Sequence, residues 1–454
     1  MRRRCSGGSK VKAILVFASV ALFYPLTVRA EEDFFASVEV ELDETSEDSS
    51  RFLYRGYVRQ YLKVGIAPPK AESNVQRYTR GVNGIRSEGF LELSGNLTPQ
   101  IGWQLSAKTE LDWVQWQQGE QQWGLTDTQL WLRDAYVDLN YGKNWLRVGH
   151  QVLAWGESES LAITDVLSSK DLREPGQAEL EDTREALPAI SMATITSFGT
   201  LTSVATFAAN ANRYAEQGEE FYRLSPSCLP PCIESYKKTY KQWEVAVKWD
   251  YSAAGSDLML MAAEVNDNEQ QLGGYTQSGP VFYQPRSRVL GASFTKVLSQ
   301  WLLRSELANS WSDRWTGLGI LGNGQEPEGS DAVLSKVQEL RGMLGVDYGG
   351  LEDVLLAYEF TLVKLRDDGE IRTYCGHFFS ARHSAMNNRL SNQLWLISMR
   401  MAEMKVLRWS LEYDMSDNLQ LGASVALYEG DEESYFERYF AANDVANLSI
   451  KYSF

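Results

Sequence analysis

Residues 445–454 read VANLSIKYSF. Side chains on a β-strand alternate between two faces. One face here carries Ala446, Leu448, Ile450, Tyr452 and Phe454; the other carries Asn447, Ser449, Lys451 and Ser453. An apolar stripe that ends in two aromatics, backed by a polar stripe, suits a strand with lipid on one side and water on the other. A soluble sandwich strand also alternates, so the rest of the chain has to decide between the two.

The start of the chain narrows the choice. Arg2, Arg3, Arg4, Lys10 and Lys12 precede an apolar run from Ala13 to Tyr24, and Val28 and Ala30 sit at the −3 and −1 positions of a cut after Ala30. This predicts a secretory signal peptide over 1–30. The apolar run is shorter than the ~20 residues a spanning helix needs, and Pro25 ends it, which disfavours a signal anchor. No later stretch approaches ~18 apolar residues, which excludes a helical inner-membrane protein and leaves a periplasmic or secreted soluble protein or a transmembrane barrel. The formal charge is −16; residues 1–30 hold six Lys/Arg and no acid, so the processed chain carries −22. That acidity argues against nucleic acid as a partner. Residues 31–51, rich in Glu, Asp and Ser, read as a flexible periplasmic leader. The space before the first strand is too small for the plug domain of an energy-coupled transporter.

From Phe52 onward alternating segments recur. In 101–113, Ile101, Trp103, Leu105, Ala107, Leu111 and Trp113 oppose Gln104, Ser106, Lys108, Glu110 and Asp112. Ala135, Val137, Leu139 and Tyr141 oppose Asp134, Tyr136, Asp138 and Asn140. The theme returns in 243–250, 340–348, 354–362, 407–413 and 419–428. Charge at every second position is what a wet lumen permits and a dry sandwich core forbids. The fold class is therefore all-β: a transmembrane antiparallel barrel over 52–454, with about sixteen strands and a range of 14–18.

The count depends on 391–414. As one long strand it would point Glu403 and Lys405 to lipid together with Trp395, Ile397 and Met399; a bulge, or a hairpin near Ala402, removes the conflict and allows eighteen strands. Short turns are expected near 98–100, 142–144, 198–200, 252–256, 298–300, 349–352 and 415–418. Long loops are expected near 68–84, 114–129, 156–187, 211–239, 266–283, 314–334, 366–391 and 429–444. Short periplasmic turns and long outer loops are the usual asymmetry.

The closing stretch resembles the C-terminal strand of bacterial outer-membrane barrel proteins, which seals the barrel and is read by the assembly machinery. The resemblance implies Tyr452 and Phe454 as the assembly signal. It also implies the outer-membrane bilayer and the barrel-assembly machinery as partners, and the bacterial outer membrane as the location.

Residues 144–192 read NWLRVGHQVLAWGESESLAITDVLSSKDLREPGQAELEDTREALPAISM. They resemble a widespread, poorly characterised family of proteobacterial outer-membrane barrels. Its strand L-R-V-G-R-Q-V-x-x-W-G-E leads into a long loop with D-x-R, P-G-x-E-L and P-x-x-M elements. The matching residues are Leu146, Arg147, Val148, Gly149, Gln151, Val152, Trp155, Gly156 and Glu157, then Asp171, Arg173, Pro175, Gly176, Glu179, Leu180, Pro188 and Met192. His150 stands where the family often has Arg. The family is often associated with RND-type exporters of lipids or other hydrophobic compounds, so the resemblance implies such an exporter as a partner.

A connection of this length without its own sheet is often functional. Leu161-Ala162-Ile163 and Val166-Leu167 could form a short helix packed on the barrel wall, which favours an inward fold of loop 156–187 over an external loop held by its own ion pairs. Candidate pore and constriction residues are Arg147, Gln151, Glu157, Asp165, Asp171, Arg173, Glu179, Glu185, Lys108, Glu110, Asp134 and Asp138.

The expected function is a channel for small solutes or for lipid and hydrophobic molecules, with no enzymatic chemistry. A closed structural or adhesion barrel and an outer-membrane lipid hydrolase are the alternatives. The hydrolase reading rests on His150, placed by parity on the lipid face, with Ser158 and Ser160 nearby. Cys375, His377 and His383 fall in the expected loop 366–391, where surface recognition is a better reading than a zinc site. Cys228 and Cys232 are a disulfide candidate, with a metal site as the weaker option. No motif calls for a cofactor. A homotrimer and a monomer both fit.

Overall fold

Apolar and polar residues alternate because one face of each strand meets hydrocarbon and the other meets the lumen. In hydrocarbon each backbone N–H and C=O needs a partner, so a spanning sheet has to close on itself. The computed structural model describes residues 52–66, 81–117, 120–161, 163–177, 183–215, 221, 235–236, 243–276, 279–316, 333–367, 369–400, 404–430 and 443–454. Its first strands are β1 (Leu53–Gly65), β2 (Gly81–Thr98), β3 (Ile101–Gln117), β4 (Glu120–Tyr141), β5 (Asn144–Gln151), β6 (Leu187–Thr196) and β7 (Gly199–Thr206). After β8 (Ser235–Tyr236) come β9 (Glu244–Ala253) and β10 (Ser256–Asn266). Next are β11 (Gln271–Thr276), β12 (Gly279–Tyr283), β13 (Arg286–Leu298), β14 (Trp301–Thr316), β15 (Val333–Leu351) and β16 (Val354–Asp367). The last are β17 (Glu370–Ala385), β18 (Leu390–Met399), β19 (Met404–Asp414), β20 (Leu419–Gly430) and β21 (Val445–Ser453).

Eighteen of these form one antiparallel barrel, in which each strand pairs with the next along the chain and β1 pairs with β21. The remaining three, β8, β11 and β12, form a small separate sheet. Closure is in register: Val58 lies opposite Tyr452, Arg59 opposite Lys451 and Leu62 opposite Leu448. Leu448, Ile450, Tyr452 and Phe454 are exposed on the outer face. The Phe454 amide donates to the Gly56 carbonyl, and the Gly56 amide donates to the Phe454 carbonyl.

Eighteen strands lie at the upper end of the expected range, and the two beyond sixteen arise in 366–391, where β17 replaces an expected loop, and in 391–414. That stretch is the β18–β19 hairpin, with Met399 opposite Met404. It also reverses one facing. Leu394 and Leu396 are exposed outward, whereas Trp395 is buried and packs against inward Phe378. The Arg408 guanidinium stacks on the Trp395 ring, which gives an indole a place on a wet wall.

Two expected long loops are continuous ladder instead. The β3–β4 pairing runs out to Gln117 opposite Glu120, and β16–β17 to Asp367 opposite Glu370. Polar residues on both faces suggested loops there, but ladder hydrogen bonds join backbone groups whatever the side chains. Cys375, His377 and His383 therefore sit on β17 rather than in a recognition loop. His377 Nδ1 lies 2.8 Å from the exposed Tyr358 hydroxyl. Cys228, Cys232 and Glu179 lie outside the described residues, as do the segments expected to be the signal peptide and leader.

Gly149 is fixed by its surroundings. Its φ is +140°, and a Cβ there would stand 2.2 Å from the Ala135 carbonyl oxygen. Gly149→Ala should lower the temperature at which the purified barrel loses its compact, SDS-resistant form, at a cost of ~1–3 kcal/mol. An unchanged transition in the variant would show that the β4–β5 contact relaxes freely.

Candidate functional site

The connection between β5 and β6 covers residues 152–186, and its described residues contact inward-facing wall residues as well as Asn212, Arg213 and Asn268 of neighbouring connections. The first docking region uses a run of small residues, Gly156-Glu157-Ser158-Glu159-Ser160, whose amides and hydroxyls need acceptors. The wall supplies two buried carboxylates. Glu306 on β14 accepts from the amides of Glu157, Ser158 (2.6 Å) and Thr164 (3.1 Å) and from the Thr164 hydroxyl (2.8 Å). Glu359 on β16 accepts from the Ser158 hydroxyl (2.9 Å), the Glu159 amide (3.0 Å) and the Ser160 hydroxyl (2.8 Å). Arg304 sits between them, 2.9 Å from Glu359 and 2.7 Å from Asp347, and donates to the Glu157 carbonyl at 2.6 Å. A buried carboxylate persists only when it is fully hydrogen-bonded or paired, so this wall and this loop depend on each other.

Beside this region the loop packs a dry cluster, with 163–167 in irregular chain rather than the expected short helix. Leu153, Trp155, Ile163 and Leu167 are buried against Met259, Met261, Val289, Ala308 and Met343 on the inner face of β10 to β15. Burying one such aliphatic side chain contributes ~1.5–3 kcal/mol. The loop then turns through Asp165, 3.1 Å from Lys170 and 2.8 Å from Arg184, whose strands meet in an antiparallel bridge.

The second docking region lies on the other side of the barrel. Glu174 is 3.2 Å from Lys63 on β1 and 3.3 Å from Arg86 on β2. Arg173 pairs with Asp171 at 2.6 Å, reaches Glu110 on β3 at 3.7 Å and donates to Gln129 on β4 at 3.0 Å. The Tyr428 hydroxyl on β20 donates to the Pro175 carbonyl at 2.9 Å. Gly176, with φ +74°, lies where a Cβ would come within 2.9 Å of Val406 on β19. In the ring of eighteen, β14 and β2 stand nine strands apart. Residues 152–177 thus touch diametrically opposite walls. A second segment joins them: Arg213 pairs with Glu185 at 3.2 Å, and Phe221 packs on Tyr428 with ring centroids 5.3 Å apart.

The candidate residues separate into groups. Asp171, Arg173, Glu110 and Lys108 come together at the second docking region, Lys108 through ion pairs with Glu88 and with Glu110 at 3.3 Å. Asp165 and Glu185 belong to the body of the loop, and Glu157 lies at the first docking region. Arg147 and Asp138 form a wall pair at 2.8 Å near the β4–β5 turn, where the guanidinium also covers the Tyr136 ring. Asp134 accepts from the Val152 amide at 3.4 Å where the loop leaves β5. Gln151 is buried; it accepts from Ser191 at 2.9 Å and donates to the Ala189 carbonyl at 3.1 Å. The sequence shows no sign of Arg304 or Glu306 at the site, and it does not place Glu359, Lys63 or Arg86 there; Glu174 is legible only as one of the loop's charges. One signal was available: the run 156–160 gathers five backbone N–H groups and two hydroxyls within five residues, all of which need acceptors once buried.

The proposed hydrolase arrangement does not assemble here. Ser158 and Ser160 donate to Glu359, while His150 Nδ1 lies 3.3 Å from the Arg133 carbonyl.

Electrostatics favour the docked loop. Burial pushes the Glu174 carboxyl up, but Lys63 and Arg86 outweigh it and hold the group at about 2. Burial also pushes Asp171 up, and Arg173 more than offsets it, so Asp171 lies below its ordinary value. Glu159, raised by burial against the opposing pull of Arg304, goes the other way. A carboxyl depressed by docking contributes fully above its ordinary pKa of ~4.5 and loses that contribution as pH falls through its docked value. Amide exchange protection over 171–177, corrected for intrinsic rate, should hold from pH 8 to ~5 and fall between pH ~4.5 and ~2. Glu174→Gln should remove most of that fall. Constant protection down to pH 2 would show that Glu174 does not hold the loop.

Comparison with known proteins agrees with the architecture. The family described as "Protein of unknown function (DUF1302)" matches residues 115–315. No curated protein sequence matches the chain. Among solved structures, OccAB3 of Acinetobacter baumannii aligns over 89% of this chain and 99% of its own, with 10% identity and a TM-score of 0.52. A BenF-like porin from Pseudomonas fluorescens Pf-5 aligns over 89% of this chain and 98% of its own, with 11% identity and a TM-score of 0.50. The chain is similar over that region to a family of unknown function, and its fold is that of an outer-membrane porin-like barrel.

Proposed function

We propose that the protein is an outer-membrane channel in which residues 152–186 set the passage. The observation that carries this reading is the span of the loop, from Glu306 and Glu359 on β14 and β16 to Lys63 and Arg86 on β1 and β2. A barrel of eighteen strands encloses a wide lumen, and a segment tied to opposite walls divides it. Mixed charge along such a passage selects solutes by size and sign. The likeness to a BenF-like porin accords with this role.

A second reading is favoured by the apolar sector of the inner wall. Met259, Met261, Val289 and Met343 face inward, where water would otherwise be expected, and the loop covers them. Lifting the loop would uncover a path suited to lipid or another hydrophobic molecule, the cargo implied by the resemblance to exporter-associated barrels.

Planar bilayer recording tests the first reading. Wild-type protein should show a small conductance, and deletion of 160–184 should raise it several-fold. Silence from both forms would overturn the channel and favour a closed scaffold. The second reading is tested with the same two forms in vesicles, by the transfer rate of a hydrophobic naphthylamine dye. The deletion should speed dye transfer beyond its effect on a polar dye of equal size; equal effects would reject an apolar path.

A further inference from the structure

The outer surface holds a one-sided band of cations that the channel reading does not use. The short turns at 142–143, 254–255 and 352–353 and the paired chain ends share one rim, which is periplasmic by the usual asymmetry of such barrels. Near the opposite, extracellular rim the exposed residues Arg288, Lys336, Lys364 and Arg366 alternate with buried inward neighbours such as Ser287, Ser335, Val337 and Val363, so they face outward. Each lies within three residues of the extracellular end of β13, β15 or β16.

Their registers connect them. Arg288 is opposite Trp311, Trp311 opposite Gln338 and Gln338 opposite Arg366, with Lys364 and Lys336 one outward position to either side of that row. Neighbouring strands are ~4.8 Å apart, so the four cations form one crescent. Exposed Leu290 and Leu362 mark the start of the lipid-facing belt next to it.

Two further observations bear on what it meets. Other outward cations near this rim are neutralised: Arg286 by Glu264 at 3.3 Å, and Lys405 by Glu429 at 3.3 Å. Two outward carboxylates adjoin the crescent, Glu264 opposite Arg288 and Asp313 opposite Lys336; among the described residues, none of the four cations has a carboxylate within 4.0 Å. Elsewhere the described part of this rim exposes the apolar residues Ile66, Leu125, Ile190, Phe207 and Trp243 beside the neutralised Lys405–Glu429 pair. With Arg286 included, this outward sector holds five cations against the two carboxylates Glu264 and Asp313, and in a chain of net charge −16 that local positive excess complements an anionic partner located there.

We propose that this crescent binds the phosphate groups of the phosphorylated glycolipid in the outer leaflet. Basic clusters at a membrane interface recognise lipid headgroup phosphates in this way. The proposal needs the orientation of the barrel but not passage through it, so its failure leaves the conductance result untouched.

The test is native mass spectrometry and titration of the full barrel in neutral detergent. The probes are bis-phosphorylated lipid A, dephosphorylated lipid A and inorganic phosphate. The wild type should bind the phosphorylated lipid about tenfold or more tightly than the dephosphorylated one. R288Q/K336Q/K364Q/R366Q should lose that difference. A charge-matched control at the periplasmic rim, R55Q/K143Q/K296Q/R389Q, should keep it. Should the quadruple variant fail to fold, the pairs R288Q/K336Q and K364Q/R366Q, checked for SDS resistance, should each lose about threefold. Equal affinity of the wild type for both lipids, or undiminished discrimination in the crescent variants, would overturn the proposal. Displacement of the lipid by millimolar inorganic phosphate would also overturn it, since the site would then be a simple anion site.

Discussion

The backbone of this protein can pair only within its own sheet wherever it meets hydrocarbon, and that requirement reaches the last residue of the chain. β21 has to find β1, because any open edge would leave a row of donors and acceptors in lipid. The register Val58–Tyr452, Arg59–Lys451 and Leu62–Leu448 meets the requirement while keeping apolar residues outward and charged ones inward on both strands. A slip of one residue would exchange the two faces of β21 and place Lys451 in lipid. Gly56 belongs to the same constraint. A Cβ there would stand 2.5 Å from the Phe90 carbonyl oxygen and 2.9 Å from the Phe454 ring, so the terminal aromatic closes over a position that only glycine fits.

A ring of eighteen strands creates a second problem, because its interior is too wide to be filled by wall side chains. The chain meets this with one connection held by two kinds of force. At β10 to β16 the loop is held by a dry apolar cluster and by neutral donors converging on Glu306 and Glu359. At β1 to β4 it is held by ion pairs of Glu174 and Arg173 with Lys63, Arg86 and Glu110. The first region excludes water and depends little on ionic strength. The second is more accessible, and it weakens with salt and acid.

The barrel was legible in the sequence because its signal is repeated. Each strand states the same two-residue period, and the C-terminal stretch states it with an aromatic end. Errors arose where that period was interrupted. Trp395 was assigned to lipid because an indole is apolar, yet Phe378 and the Arg408 guanidinium give it an inward place. The ends of β3, β4 and β16 were taken for loops because, beyond the membrane, neither face needs to be apolar, and all of β17 was taken for a loop because polar residues such as Arg372, Thr373, His377 and Ser380 interrupt its apolar pattern.

The loop was legible only in part, for a different reason. The Asp171–Arg173 pair is local in sequence, and so are the charges 165–185 from which it was drawn. The partners that give the loop its geometry are not local: Glu306 and Glu359 lie some 140 to 200 residues from the amides they accept. Alternation shows that such an acid faces inward, but not which segment will reach it. The donors in 156–160 were equally ambiguous, since exposed amides can bond to water. Only the closed ring, which sets β14 and β16 opposite β1 and β2, makes a carboxylate on one wall and a cation on the other into the two ends of one strap. The site is therefore a property of the strand number. In a barrel of sixteen the distance across would be smaller, and a segment of this length would have to fold back before meeting both walls.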